Sequence, residues 1–390
     1  MPEDYSDTYE RHETDPAVSK EKKNYILHVG LFIITFITCT FAGAQWISVK
    51  EGPYELSFLL KGLPYSISLM FIISCHEFGH YFAARYHRVK ATLPYYIPFP
   101  PIPMFINFGT MGAVIRTKSP IYSKKAMFDI GIAGPLAGFV ASLVVLFYGF
   151  THVPGVNYLL AIHPDYFSPS YGKNAIDLAF GNTLLFSLFK ILFIHGSQFF
   201  PPMSEIYHYP YLCVGWFGLF VTAMNMLPVG QLDGGHIAYT MFGEKKHYNV
   251  ALSSIIIITT IGLLGIVETE VSSFPHFDWS DGLALALSIF FIVKLFQEVK
   301  ENKIAFVSIA VIIVSMIILA LTEVRLHFQS NAGWIGWLVW ATLLLFVIKL
   351  RHPVVPDDRE LDSKRMALGY LSFFILVISF SPTPFLISAG

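Results

Sequence analysis

The stretch AMFDIGIAGPLAGFVASLVVLFYGF, residues 126–150, contains a single charged side chain, Asp129. As a helix, a block of this length can cross the roughly 30 Å hydrocarbon core of a bilayer. The same bias extends over the chain: 54% of its 390 residues are hydrophobic and 14% are charged, whereas soluble proteins carry about 25% charged residues. The sequence therefore predicts an all-α polytopic membrane protein.

Nine apolar blocks of this kind occur along the chain, and we expect about nine transmembrane helices. Their approximate positions are residues 25–48, 58–84, 126–150, 211–240, 249–268, 282–298, 303–322, 333–350 and 366–386. The block at 211–240 is interrupted by Pro228 and by a glycine pair. A shorter stretch, residues 183–200, contains Lys190 and His195. We interpret it as interfacial or partly buried, with a tenth span as the alternative.

The loops between these blocks predict the orientation of the chain, because cytoplasmic loops are enriched in Lys and Arg. With nine spans, the basic loops all fall on the side of the N-terminal tail. They are residues 85–90, 116–125, 245–246, 294–303 and 349–365. The loop at 268–281, with acidic residues and no Lys or Arg, falls on the other side. We therefore predict a cytoplasmic N-terminus.

Net charge and cysteine content exclude two other classes of protein. The formal net charge is -1, so no basic field indicates a nucleic-acid partner. The cysteines, Cys39, Cys75 and Cys213, each lie in an apolar block without CxxC spacing. We expect buried thiols and no disulfide framework.

Residues 93–116 do not follow a helical pattern. Five prolines between residues 94 and 103 each remove a backbone donor, yet the segment is rich in Tyr, Phe and Ile. Apolar, non-helical backbone at membrane depth must be shielded by protein or face a wet cavity. We therefore expect a Pro-rich re-entrant loop that leads into a short β-strand at about residues 109–116.

The run Cys75-His76-Glu77-Phe78-Gly79-His80 contains the pattern H-E-x-x-H near the end of the second block. Positions i and i+4 of a helix share one face, so both imidazoles can reach one metal ion such as Zn²⁺. Glu77 is then placed to take a proton from water. A structural His–Glu pairing is the alternative, but such groups are costly in a membrane span without a function.

Two histidines leave a catalytic zinc ion one protein ligand short. The best candidate for the third is Asp233, in the sequence NMLPVGQLDGG at residues 225–235. Gly234 and Gly235 permit a helix break or a close backbone approach at this point. The alternative role for Asp233 is that of a helix-capping residue.

Several other histidines lack ligand spacing, and we expect them to lie outside any metal site. They are His152, His163, His195, His208 and His236. Of these, His236 follows the glycine pair, and we expect it to be only a neighbour of the site.

The pair of motifs, HExxH at residues 76–80 and N-x-x-P-x-x-x-L-D-G at residues 225–234, resembles the site-2 protease family of intramembrane zinc metalloproteases. The resemblance covers about residues 58–240. The Pro-rich stretch followed by GTMG at residues 109–112 is similar to the PDZ-less branch of that family. Consistent with this branch, nothing between residues 151 and 210 has the length of a PDZ domain.

The resemblance implies a role for each of the motif residues. His76, His80 and Asp233 would bind one Zn²⁺ per chain, and Glu77 would activate water. Asn225 would lie near the scissile bond, where its amide could donate to the developing oxyanion; a packing hydrogen bond is the alternative. The segment GIAGPLAG, residues 131–138, also matches a family pattern, and its small residues predict close helix packing.

We therefore divide the chain into a cytoplasmic tail at residues 1–24, a membrane-embedded protease core at residues 25–240 and additional C-terminal transmembrane helices at residues 241–390. The expected activity is hydrolysis of a peptide bond in or next to the transmembrane helix of a membrane-protein substrate, within the lipid bilayer. The alternatives are a metal-dependent transporter or chaperone, for which we find no inverted repeat, and a catalytically silent relative, against which the intact Glu77 argues. The predicted location is a bacterial plasma membrane, with an organellar membrane as the alternative.

Overall fold

A computed structural model of the chain describes residues 25–47, 55–100, 107–169, 171, 176–273, 289, 292–293, 297, 333–357 and 359–389. Helices dominate these residues. They are α1 Tyr25–Ile47, α2 Leu56–Leu60, α3 Leu63–Tyr86, α4 Lys124–Thr151, α5 Val156–Ile162, α6 Leu184–Phe193, α7 Pro210–Asn225, α8 Asp233–Ser273, α9 Gly336–Leu343 and α10 Ser363–Ser379. The strands are β1 Tyr95–Pro98, β2 Thr110–Val114, β3 Ile176–Phe180 and β4 Phe385–Ala389.

Within the described residues, three helical segments are long and apolar enough to cross a membrane. They are α1, α4 and the part of α8 from Asp233 to Gly265. The mainly helical membrane architecture agrees with the sequence prediction. The predicted spans at 282–298 and 303–322 lie outside the described residues, apart from isolated positions in the first.

The helix boundaries around Pro228 differ from the predicted spans at 211–240 and 249–268. Helix α7 ends at Asn225, and α8 begins at Asp233 and continues beyond residue 249, where a separate span was predicted. Proline cannot continue the hydrogen-bonding ladder of α7. Gly243 has a non-helical φ of 76° inside α8 and marks a kink.

The end of the predicted span at 366–386 is also different. Helix α10 ends at Ser379, and residues 385–389 form strand β4. Pro382 and Pro384 lie between the two elements and prevent the helix from continuing. Strand β4 pairs antiparallel with β3, with Phe180 opposite Phe385, and neither strand was predicted.

Helix α4 is the central element of the bundle, because it packs against α3, α7 and α8. Its first turn is capped by the Ser123 side chain, which accepts a hydrogen bond from the Ala126 backbone N–H. Such a cap satisfies one of the free donors at a helix start. Helix α3 also contacts α1 and α7, so the HExxH helix is enclosed by three neighbours.

The predicted short strand is present as β2, which pairs antiparallel with β1. The pair packs against α1, where the Thr38 hydroxyl donates to the Gly109 carbonyl at 2.6 Å. Gly109 has a φ of 78° and lies against the backbone of Cys39, which leaves no space for a side chain. Residues 101–106, the middle of the predicted re-entrant loop, lie outside the described part of the chain.

Candidate metal centre

His76 and His80 lie one turn apart on α3 with their rings close together. Their Nε2 atoms are 3.1 Å apart, and both residues are buried. This is the arrangement that the i, i+4 spacing predicts. Nδ1 of His80 is 2.7 Å from the carbonyl of Ile130 on α4. Because a carbonyl only accepts, Nδ1 carries the proton and leaves the lone pair on Nε2 for a ligand.

Asp233 completes the cluster from the first turn of α8. Its Oδ2 atom is 3.4 Å from Nε2 of His76 and 3.4 Å from Nε2 of His80. The glycine that follows allows this position, because a Cβ at Gly234 would overlap the carbonyl of Met226. The turn between α7 and α8 can therefore fold tightly against the start of α8.

The three donor atoms fit a tetrahedral divalent ion. Zinc binds His nitrogen and carboxylate oxygen at about 2.0–2.1 Å, so two ligand atoms in a tetrahedral set lie about 3.3 Å apart. The observed separations are 3.1, 3.4 and 3.4 Å. The arrangement of these three side chains can therefore hold such an ion without rearrangement of the backbone.

Glu77 and Asn225 lie next to these donors. Glu77 is buried, and its carboxylate faces the backbone N–H of Ile115, directly after β2. Asn225 is the last residue of α7, and its Nδ2 atom is 3.5 Å from Nε2 of His76. The fold thus brings together all five residues that the sequence singled out, from α3, α7 and α8.

Comparison with known proteins shows that the model of peptidase family M50 matches residues 64–267. This range covers more than half of the chain and contains all five residues. The chain belongs to peptidase family M50, the family of site-2 proteases. A comparison with solved structures gave no significant match.

Several plant proteins are similar to this M50 chain. The rice (Oryza sativa subsp. japonica) protein named "Probable zinc metalloprotease EGY1, chloroplastic" is 35% identical over 267 residues, 62% of this chain and 41% of the relative. Rice (subsp. indica) "Probable zinc metalloprotease EGY2, chloroplastic" is 30% identical over 264 residues, 66% of this chain and 42% of the relative. The Arabidopsis thaliana protein named "Probable zinc metalloprotease EGY2, chloroplastic" is 24% identical over 283 residues, 71% of this chain and 44% of the relative. The M50 chain therefore spans less than half the length of these relatives.

The small residues of α4 bring that helix close to His76 and His80 of the M50 chain. A Cβ at Gly134 would overlap the imidazole of His80, and a Cβ at Gly138 would lie 3.1 Å from Nδ1 of His76. The sequence predicted close helix packing here. It did not predict that the contacts would be with the imidazoles, or that Ile130 would supply the hydrogen bond to His80. The only signal was the Gly-Pro content of residues 131–138.

Residues beyond the M50 match contact the first turns of α8, the helix that begins at Asp233. Nδ1 of His236 is 2.6 Å from Nε2 of His352, and the Tyr239 hydroxyl accepts a hydrogen bond from the Val355 N–H at 3.0 Å. His236 is a neighbour of the site, as expected. The sequence offered no signal for His352, which is 116 residues away.

Proposed function

We propose that this chain is an intramembrane zinc metalloprotease that hydrolyses a peptide bond in or next to the transmembrane helix of a membrane-protein substrate. The observation that carries the proposal is the convergence of His76, His80 and Asp233, at separations that suit one divalent ion, with Glu77 buried beside them. Membership of a peptidase family supports it, as do relatives named as probable zinc metalloproteases.

In this function, His76, His80 and Asp233 would hold the zinc ion and leave a position open. Zinc in such a site supplies a Lewis acid that polarises the scissile carbonyl and lowers the pKa of water to about 7. The hydrogen bond from His80 to the Ile130 carbonyl holds that imidazole in the tautomer that a metal ion requires.

Glu77 would act as the general base. It is adjacent to His76 in the chain, and its buried carboxylate faces the strand β2. The carboxylate takes a proton from the attacking water and then gives it to the nitrogen of the leaving amine. General acid–base catalysis of this kind contributes on the order of 10²–10⁴ in rate.

Asn225 would stabilise the negative charge that develops on the carbonyl oxygen. Its Nδ2 atom is 3.5 Å from Nε2 of His76. The amide can therefore donate a hydrogen bond to a substrate oxygen near the proposed metal position. A donor already fixed in place for a developing oxyanion is worth on the order of 10²–10³ in rate.

The substrate would bind as an extended segment along β2. A helical substrate hides its amide groups in its own hydrogen bonds, so it must unwind before hydrolysis. Among the described residues, β2 pairs with β1 alone, which leaves its other edge for an added strand. The Ile115 backbone, next to Glu77, would bring the unwound segment to the catalytic carboxylate.

The sequence supports a more detailed membrane topology than the described helices alone. We infer about nine spans, a Pro-rich re-entrant loop, a cytoplasmic tail at residues 1–24, the protease core at 25–240 and further spans at 241–390. The positive-inside rule supports a cytoplasmic N-terminus. A bacterial plasma membrane is our proposed location, and the word "chloroplastic" in the names of the relatives makes a plastid membrane the alternative. Membrane fractionation with protease accessibility of a tag at residue 1 tests both.

The test of the activity is to purify the Glu77→Gln and Asn225→Ala variants, measure zinc content, and assay cleavage of a membrane-protein substrate. We expect Glu77→Gln to keep its zinc and lose at least about 10²-fold in cleavage rate. For Asn225→Ala we expect unchanged zinc and a rate lower by about 10²–10³-fold. Glu244→Gln, which changes an exposed glutamate paired with Arg351, is the matched control and should cleave normally.

A third variant identifies the metal position. His80→Phe should remove one zinc ion per chain and abolish cleavage. If zinc content is the same in wild type and His80→Phe, or if Glu77→Gln cleaves at the wild-type rate, the proposed function is wrong.

A further inference from the structure

A second cluster of two histidines and a carboxylate lies away from the M50 centre. It consists of His163, Glu205 and His208, and the ligand atoms of the three residues all lie within 4.8 Å of one another. His163 follows the last residue of α5, and Glu205 directly precedes the short 3₁₀-helix Ile206–His208. The sequence spacing gave no indication that His163 and His208 lie together, because they are 45 residues apart and only the fold brings them into contact.

The cluster is at the other end of the bundle from the first site. His208 contacts the carbonyl of Ile47, the last residue of α1, whereas His28 near the start of α1 contacts Pro94, just before β1. Along α4, the Ile130 carbonyl that bonds to His80 is about 30 Å of helix away from Thr151, after which the segment with His163 begins. The two clusters are therefore separate sites.

The three side chains are largely buried. The exposed fraction of the side chain is 0% for His208, 4% for Glu205 and 19% for His163. Burying a carboxylate is costly unless positive charge or hydrogen bonds compensate it. The Tyr171 hydroxyl donates to Oε1 of Glu205 at 2.7 Å, which orients the carboxylate so that Oε2 faces the two imidazoles.

Hydrogen bonding fixes the tautomer of His208 in the form that binds a metal. Its Nδ1 atom is 3.0 Å from the carbonyl of Ile47, so Nδ1 carries the proton and Nε2 carries the lone pair. That lone pair faces Oε2 of Glu205 at 3.5 Å and Nε2 of His163 at 2.9 Å. A neutral imidazole nitrogen and a carboxylate oxygen are both acceptors, so their convergence favours a cation between them.

The second cluster repeats the donor set and the spacing of the first. Its three separations are 2.9, 3.5 and 3.9 Å, against 3.1, 3.4 and 3.4 Å for His76, His80 and Asp233. Two imidazoles and one carboxylate form a set that zinc prefers over magnesium or calcium, which take mainly oxygen ligands.

We propose that His163, Glu205 and His208 bind a second divalent transition-metal ion, with zinc as the best match. The ion would join the segment after α5 to the segment before α7, and through the Nδ1 bond of His208 it would fasten both to the end of α1. The Tyr158 hydroxyl, which donates to the carbonyl of His208 at 2.7 Å, adds a further tie between α5 and the site.

The experiment measures zinc per chain by mass spectrometry, on protein purified with a histidine-free tag and dialysed against a zinc buffer at nanomolar free metal. We expect two zinc ions in wild type and one in His80→Phe. Glu205→Gln and His163→Gln should each also hold one, and the double variant His80→Phe/His163→Gln should hold none. His152→Gln, which changes an exposed histidine at the end of α4, is the matched control and should keep both ions.

A second readout uses His80→Phe, in which only the new site remains. Zinc should raise its thermal unfolding midpoint, and the same zinc should leave the midpoint of His80→Phe/His163→Gln unchanged. A wild type with one zinc ion that His80→Phe removes would overturn this proposal, leave the protease function intact, and assign the cluster to a metal-free His163–His208 hydrogen bond. If His80→Phe fails to fold, the Glu205→Gln and His163→Gln variants decide instead: retention of the full wild-type zinc content in both would overturn the proposal.

Discussion

Gly134 of α4 faces the imidazole of His80, and a Cβ at this position would overlap Nε2. His80 cannot retreat without losing the 2.7 Å hydrogen bond from Nδ1 to Ile130. We expect Gly134→Ala to displace the His80 ring, weaken zinc binding and reduce cleavage on the order of 10²-fold, which is the typical cost of a misplacement near 1 Å. Zinc titration and the cleavage assay measure both effects.

Gly155→Ala is the control for the Gly134 substitution. No atom lies within 4 Å of a Cβ added at Gly155, and its φ of -67° suits any residue. Zinc affinity and cleavage should both be unchanged in this control. A Gly134→Ala protein with wild-type zinc affinity would mean that α3 and α4 can separate without cost, and that the close packing has no part in metal binding.

Part of the geometry around His80 could be predicted from the sequence. His76 and His80 are four positions apart on one helix, so their convergence follows from helix geometry alone. Asp233 could be selected because a carboxylate in an apolar block at a helix break is unusual. The Ile130 carbonyl could not be selected, because every residue has one and only the packing of α4 on α3 decides which carbonyl meets His80.

The β1–β2 pair has one edge directed toward Glu77. The Arg116 carbonyl accepts a hydrogen bond from the Thr92 N–H at 3.0 Å, on the side of β1. Backbone groups of successive residues in a strand point to alternate sides. Ile115, and two residues earlier Ala113, therefore direct their backbone groups away from β1, where we propose that substrate binds.

We expect Ala113→Pro to abolish cleavage and leave the zinc content unchanged. Proline removes an N–H on the free edge, and it removes no donor to β1. Ala113→Ser keeps the N–H at similar volume and should cleave at close to the wild-type rate. Equal cleavage by the proline and serine variants would exclude strand addition at this edge.

The strands also show why some elements were missed. Strand β2 could be predicted because the proline-rich segment before it cannot be helical. Strand β4 follows the apolar helix α10 after only a short proline-containing turn, and a short apolar run gives no periodicity that separates strand from helix. Its strand form depends on its partner β3, which is 205 or more positions earlier, since Phe180 pairs with Phe385.

Helix α10, near the C-terminal end of the described residues, packs against the M50 core. Helix α10 packs on α4, α6, α7 and α8. Arg365 of α10 forms two hydrogen bonds of 2.7 Å with the carboxylate of Asp129 on α4, and Oδ2 of Asp129 is 2.8 Å from Nε2 of His87 at the end of α3. One carboxylate thus joins three helices. This contact of the C-terminal segment with α4 could not be predicted from the sequence, because Arg365 and Asp129 are 236 positions apart.

We expect Arg365→Ala to lower the free energy of unfolding in detergent by about 1–2 kcal/mol, since hydrogen bonds to charged groups are worth about 1.5–3 kcal/mol and this pair is partly exposed. Arg365→Lys should recover only part of the loss, because lysine lacks the fork that binds both carboxylate oxygens. Denaturant titration measures both variants.

Arg359→Ala is the control for the Arg365 variants, because its side chain is 83% exposed and pairs with Asp357 two residues away. It should unfold at the same denaturant concentration as wild type. If Arg365→Ala does so too, the contact of α10 with α4 is held by apolar packing alone.

The kink at Gly243 affects how the position of Asp233 responds to the thickness of the bilayer. As one straight rod, the 33 residues from Asp233 to Gly265 would extend about 50 Å, well beyond a hydrocarbon core of about 30 Å. Because the helix is broken at Gly243, the apolar part from residue 244 to Gly265 is about 33 Å long. A thicker or thinner membrane can then be accommodated by tilting of that distal part. Asp233 is on the other side of the kink, so we expect its depth to change little and zinc retention to be insensitive to the acyl-chain length of the surrounding lipid.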